Sequence, residues 1–172
     1  KPRWDECDYG ISFMKGDIPY PECHLRMPCW MNNGPVRRTG KIEQYSKDRK
    51  SLLSRHTRFC SFVYSNGNAP ERIHFLRLLS RYKHVDCGGM VMNNMGSCVR
   101  DKIAFCSSCK FTIAFENYPA AGYVTEKLFD SLAALSLPIY WGAPDAGMEA
   151  NPSRFVNAAD FSTPEALAEY VI

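Results

Sequence analysis

No Asp-x-Asp pair occurs anywhere in the 172 residues, which argues against paired carboxylates gripping a divalent cation on a diphosphate. A Walker loop, a G-x-G-x-x-G fingerprint and a G-x-S-x-G nucleophile elbow are missing as well, so the commonest phosphate cradles and the serine-hydrolase arrangement are set aside. No run approaches the roughly 18 apolar residues that a membrane helix needs. No Asn-x-Ser/Thr acceptor is present either, which removes one positive sign of a secreted protein. The chain opens on Lys1 without an initiator Met or an apolar leader; the expectation is a piece of a longer sequence, with any targeting element elsewhere.

What is present is enough for a folded unit. Hydrophobic residues make up 45% and aromatics 13%, against 23% charged, so the chain can bury a core and has no disordered or collagen-like composition. Its length fits one domain plus part of another. The net charge of +3 conceals an asymmetry: Arg37 to Arg58 holds eight Lys/Arg against Glu43 and Asp48, whereas Ile113 to Ile172 holds eight acids against Lys127 and Arg154. The basic stretch reads as a solvated connection between domains, and with no recognition helix, zinc finger or aromatic single-strand motif beside it, no nucleic-acid partner is expected. Eight cysteines leave the redox compartment open. Cys106 and Cys109 have a half-zinc spacing without matching further ligands, so no metal is expected and both read as small hydrophobes flanking a buried strand.

Residues 1–57 are irregular, apart from a short alternating run over Tyr9 to Phe13. From Arg58 onward, strand-like and helix-like segments alternate over short loops. Strands are expected over 59–64, 110–115 and 138–141, with a short one near Val85; helices are expected over 69–79, 99–105 and 123–135 and from Pro164. Thr125 is an expected N-cap, and Leu128, Phe129, Leu132 and Leu135 form an apolar stripe. This alternation implies a parallel, Rossmann-like α/β sheet, whose ligands bind at the carboxyl ends of the strands.

Two strand-to-helix junctions carry polar chemistry. The first, Ser65 to Arg72, puts an arginine in the first turn of a helix, the wrong sign for the helix dipole unless an anion offsets it. The second, Phe115 to Lys127, ends a strand in Glu116-Asn117, runs through a Pro/Gly loop and opens a helix with Glu126 and Lys127. There Asn117 and Tyr123 can hydrogen-bond or stack, Glu126 can accept from sugar hydroxyls and Lys127 can oppose a phosphate. Without a metal, a diphosphate leaving group needs such cations and a helix N-terminus.

At this point the residues resemble a family. Lys110-Phe-Thr-Ile-Ala-Phe-Glu-Asn117, Gly122-Tyr-Val-Thr-Glu-Lys127 and Pro138-Ile-Tyr-Trp-Gly142 look like the signature block of the α-1,3/1,4-fucosyltransferases, closest to bacterial members. Phe59 to Asn66, Ala69 to Arg72, Val85 to Gly89, Asn93-Asn94 and Phe155 to Phe161 follow in the family's order. The likeness is strong over 58–172 and faint at Tyr9 to Phe13 and Leu25 to Pro28. It implies a GT-B architecture in which residues 1–57 are the tail of the acceptor-side domain with the interdomain connection, and 58–172 the C-terminal GDP-fucose domain. Carried over by position, Arg72 and Lys127 contact the donor diphosphate, and Asn117, Tyr123 and Glu126 line the nucleotide and fucose site, with Glu126 also stabilising the transition state.

The implied reaction is inverting transfer of L-fucose to the 3- or 4-hydroxyl of an N-acetylglucosamine in an N-acetyllactosamine-type glycan, with no cofactor. The family's carboxylate base lies in the N-terminal domain and matches no residue here, and Glu116 is assigned to structure or donor positioning. The resemblance further implies a cytoplasmic or membrane-associated protein in a bacterium and a Golgi membrane protein in a eukaryote, with any peripheral membrane association through segments outside this chain. The alternatives are a donor-binding module or degenerate homologue without catalysis, and a transferase for another GDP-sugar.

Overall fold

The computed structural model describes residues 6–16, 18–33, 51 and 54–172. Most of the basic stretch from Arg37 to Arg58, expected to connect two domains, lies outside the described residues. Ahead of it, β1 (Gly10–Ser12) and β2 (His24–Arg26) form a two-stranded parallel pair. After it come β3 (Arg58–Phe62), α1 (Pro70–Leu79), β4 (Val85–Cys87), α2 (Lys102–Cys106), β5 (Cys109–Phe115), α3 (Glu126–Ala133), β6 (Leu137–Trp141), β7 (Val156–Asn157) and α4 (Pro164–Val171). Their strands make one five-stranded sheet in the order β4-β3-β5-β6-β7, parallel throughout.

A parallel sheet is covered on both faces, so its inner strands read as apolar runs rather than as alternation. Ile113, Ala114 and Phe115 are all buried. Because successive side chains point to opposite faces, Ile113 joins Phe62, Leu79, Ile139 and Leu167 in one core cluster, while Ala114 joins Leu128, Tyr140 and Phe155 in the other. Helices α1 and α4 pack together, as do α2 and α3. Three of the polar residues inside satisfy one another: Ser61 Oγ and Thr112 Oγ1 are 2.8 Å apart, and Thr112 donates to Ser136 Oγ at 2.8 Å. Cys60, Cys87, Cys106 and Cys109 are free and buried. Burial raises the pKa of all four, pushing Cys87 up to about 11, so they pack as thiols.

Capping trims the helices relative to expectation. The helix expected over 99–105 is displaced to Lys102–Cys106 because the Asp101 carboxylate caps it, accepting from the Ala104 N–H at 3.0 Å. The helix expected over 123–135 runs only from Glu126 to Ala133: Thr125 caps its start, and Leu135 has a left-handed φ of 61° just beyond its end. Leu135 therefore terminates the apolar stripe instead of extending it. Thr163 caps α4 through the Ala166 N–H at 3.1 Å, with Pro164 in the first position.

The segment around β1 and β2 is fastened to the large sheet by ions. Lys15 Nζ lies 2.8 Å from Asp145 Oδ2 and 2.8 Å from Glu149 Oε1. Glu149 also accepts from the Arg26 guanidinium and, at 3.0 Å, from Trp30 Nε1. Burial alone would raise both carboxyls. Instead, the Gly122 N–H and Lys15 carry Asp145 below its ordinary 3.8, and Lys15, Trp30 and Arg26 carry Glu149 below its ordinary 4.5. Hydrogen bonding to the two carboxylates raises Lys15 above its ordinary 10.5.

Two outcomes follow for stability. A depressed carboxyl contributes stability that is complete above its unfolded pKa and lost as pH falls through the folded one. Urea midpoints of the wild-type protein should therefore drop more steeply below about pH 4 than those of an Asp145→Asn/Glu149→Gln double variant. Gly89→Ala should lower the unfolding free energy by about 1–3 kcal/mol in urea titrations, because its Cβ would run into the Tyr64 backbone.

Candidate functional site

The order β4-β3-β5-β6-β7 reverses direction between β3 and β5, and a doubly wound sheet opens a crevice outside the carboxyl ends of the strands at such a switch point. A cavity of about 200 Å³ lies there, and its lining includes Tyr64, Asn66, Arg72, Lys102, Asn117, Glu126 and Lys127. Four of the five site residues expected from sequence thus meet in one place. Tyr123 does not line it; its ring packs with Tyr118 (4.4 Å, stacked at 8°) and Phe13 (5.3 Å).

Arg72 is the most deeply set of these. It occupies the first turn of α1 and folds inward to 1% exposure. Its Nη2 donates to the Phe115 carbonyl at 2.9 Å and to Asn117 Oδ1 at 2.8 Å, and Nη1 donates to the Asn66 carbonyl at 3.2 Å. The guanidinium lies 3.8 Å from the centre of the Tyr64 ring, an arrangement that stabilises a desolvated cation. Tyr64 is itself fixed, donating its hydroxyl to the Ile113 carbonyl at 2.7 Å and accepting from the Phe115 N–H at 2.9 Å. Among the described residues Arg72 pairs with no carboxylate, and its Nε is buried without a partner.

Lys127 is held differently. Its Nζ donates to Glu116 Oε2 at 3.1 Å and to Thr125 Oγ1 at 2.9 Å, and Glu126 Oε1 stands 3.7 Å away. Glu116 is wholly buried and takes the Thr125 N–H at 2.8 Å on one oxygen and the Thr125 hydroxyl at 2.7 Å on the other. Burial raises its pKa above the ordinary 4.5, and the Lys127 charge and the Thr125 donors draw it back part of the way. The expected structural or positioning role of Glu116 has this concrete form: it anchors the first turn of α3.

Tyr64, Asn66 and Lys102 are participants that sequence reasoning did not single out. For Tyr64 a signal existed, since it closes the strand-like run directly before the turn leading to Arg72. Lys102 carried none: it lies in another crossover and pairs with Asp130 at 3.0 Å. A larger, mostly apolar cavity of about 610 Å³ adjoins the carboxyl ends of β5 and β6, lined by Phe75, Phe115, Trp141 and Phe161 among others. Neither Lys nor Arg lines it, so its size does not make it the site of phosphate chemistry. The described residues contain no group of three or more His, Cys, Asp or Glu placed to hold a metal, and no helix among them is long and apolar enough to cross a membrane.

A parallel doubly wound sheet with Arg72, Lys102 and Lys127 lining a crevice at its switch point defines a Rossmann-like domain. Residues 53–172 match the model described as glycosyltransferase family 10 (fucosyltransferase) C-term, and the chain belongs to that family. The alpha-(1,3)-fucosyltransferase FucT of Helicobacter pylori is 42% identical, over 99% of this chain and 41% of its own length. A 3-galactosyl-N-acetylglucosaminide 4-alpha-L-fucosyltransferase, FUT3 of Bos taurus, is 31% identical over 70% of this chain and 33% of its own length. The crystal structure of an alpha1,3-fucosyltransferase with GDP-fucose superposes with a TM-score of 0.81 at 30% identity, covering 99% of this chain and 58% of that one. The fold is therefore that of the C-terminal part of a GT-B fucosyltransferase. The chain spans about two fifths of the Helicobacter relative.

Thr125→Val should cost about 1–2 kcal/mol in urea unfolding, since it removes the cap of α3 and one donor to the buried Glu116 carboxylate.

Proposed function

We propose that the protein transfers L-fucose, with inversion, from GDP-fucose to the 3- or 4-hydroxyl of an N-acetylglucosamine residue in a glycan. The observation that carries this reading is Arg72: a buried guanidinium, stacked on Tyr64 and without a carboxylate partner among the described residues, at the switch point of the sheet. Burying a charge without a counter-charge is expensive, and a diphosphate supplies what is lacking. The likeness to a fucosyltransferase crystallised with GDP-fucose supports the choice of donor. The name of the bovine relative supports a galactosyl-N-acetylglucosaminide acceptor.

In this reading Arg72 and Lys127 bind the diphosphate and stabilise the charge it gains as the glycosidic bond to fucose breaks. Two of the three Nζ donors of Lys127 are taken by Glu116 and Thr125, which aims the third at the ligand. The start of α3 adds its backbone N–H groups and positive dipole end. Glu126 accepts from donor hydroxyls and stabilises the transition state, and Asn117, already oriented by Arg72, lines the nucleotide side. The 610 Å³ apolar cavity nearby has the volume for a nucleobase. The reaction needs no metal or other cofactor. The proton of the acceptor hydroxyl goes to a carboxylate base, for which no residue of this chain is assigned. Residues 58–172 are the donor domain, and 1–57 the tail of the acceptor-side domain with its connection.

Calorimetry with GDP tests the donor site. Arg72→Ala and Lys127→Ala should each weaken GDP binding by about ten- to a hundredfold, the value of a charge-assisted hydrogen bond, with circular dichroism confirming the fold. Unchanged affinity in the folded variants would reject the assignment. GDP-mannose competing as well as GDP-fucose would reject the donor, and tight GDP binding without transfer to N-acetyllactosamine would favour a donor-binding module.

A further inference from the structure

The loop from Tyr118 to Thr125 is held from two sides by unrelated parts of the chain. On one side, Glu116 fixes Thr125 and Lys127. On the other, the residues that follow β1, together with Trp30, fix positions 122 to 124. Gly122 has a left-handed φ of 75°, and the Phe13 carbonyl lies so close to it that a Cβ has no room. Its N–H donates to Asp145 Oδ1 at 2.8 Å, while the other oxygen of that carboxylate takes Lys15 at 2.8 Å. The Phe13 ring lies 5.3 Å from that of Tyr123, and the Trp30 N–H donates to the Val124 carbonyl at 3.1 Å.

We infer that Phe13 to Lys15 form a positioning strap, in which Lys15 acts through Asp145 and Gly122 to set the Tyr123 ring against the sugar of the donor. The inference rests on the donor site proposed above and deepens it. The division of labour is spatial. Arg72, Asn117 and Lys127 line the cavity at the switch point, and neither Lys15 nor Phe13 does. The strap governs the other end of the loop, where Tyr123 is wedged between Phe13 and Tyr118. Burial and the Glu116 carboxylate push the Tyr123 hydroxyl up to about 12, so at neutral pH it is an uncharged phenol able to donate to a sugar oxygen. Lys15 is thus a positioning residue: it works through a carboxylate and a backbone amide.

Because the strap acts at the sugar end, removing its ion pair should separate two affinities that a general loss of structure would lower together. Lys15→Met should weaken GDP-fucose binding by about fivefold, the upper range for a partly exposed ion pair, and leave GDP within about twofold. In the ligand-free protein, hydrogen exchange at the Gly122 and Tyr123 amides should quicken by about tenfold, with β5 unaffected. Lys15→Arg, which keeps the charge, should restore both. Unchanged exchange at Gly122 and Tyr123 would overturn the strap, and so would an equal loss for GDP and GDP-fucose. If the wild-type protein bound neither nucleotide, the functional reading and the link to the donor sugar would both fall. The exchange measurement would then decide by itself whether Lys15 holds the loop.

Discussion

A carboxyl group with no contact with water must find within the protein the hydrogen bonds that water would have given. Glu116 is in that position, and the arrangement of the site follows from how it is satisfied. Its three donors come from Thr125 and Lys127, so one side chain at the end of β5 sets where α3 begins and where its first lysine points. The surrounding backbone conforms to it. Gly142, after β6, must be glycine, because a Cβ there would collide with the Glu116 side chain and its φ is 155°.

Arg72 and Lys127 are therefore two different kinds of cation. Lys127 shares an internal counter-ion and has its direction fixed by it. Arg72 is held only by neutral acceptors and an aromatic face, which orient the guanidinium but leave its charge uncompensated among the described residues. A site that stabilises a departing anion benefits from both: one cation rigidly aimed, and one whose field is undiminished.

The fold was largely legible because its grammar is local. Apolar runs, Pro70 and Pro164 at helix starts, and Thr125 as a cap each announce an element within a few residues. The parallel topology follows from their alternation. What local reading missed depends on atoms far apart in sequence. Tyr123, expected at the nucleotide and fucose site, does not line the 200 Å³ cavity; its ring packs with Tyr118 and with Phe13, the latter more than a hundred positions away. The helix boundaries shifted for a similar reason: periodicity marks which face is apolar, whereas a capping hydrogen bond such as Asp101 to Ala104 decides the first turn. Lys15 gave no signal, since its partners Asp145 and Glu149 lie near the other end of the chain.

The strand order has a kinetic corollary. The two central strands, β3 and β5, pair through residues about 50 positions apart, Arg58 with Cys109 and Ser61 with Thr112, and β4 closes only the outer edge. During synthesis β3 can find its first neighbour early, but its second face-completing partner arrives only after two crossovers have been made. Loop closure must be spent before any of that pairing is rewarded. The strand that leads into Glu116 and Asn117 is thus also the one that joins β3 to β6, so the crevice at the switch point cannot be complete before β5 has paired.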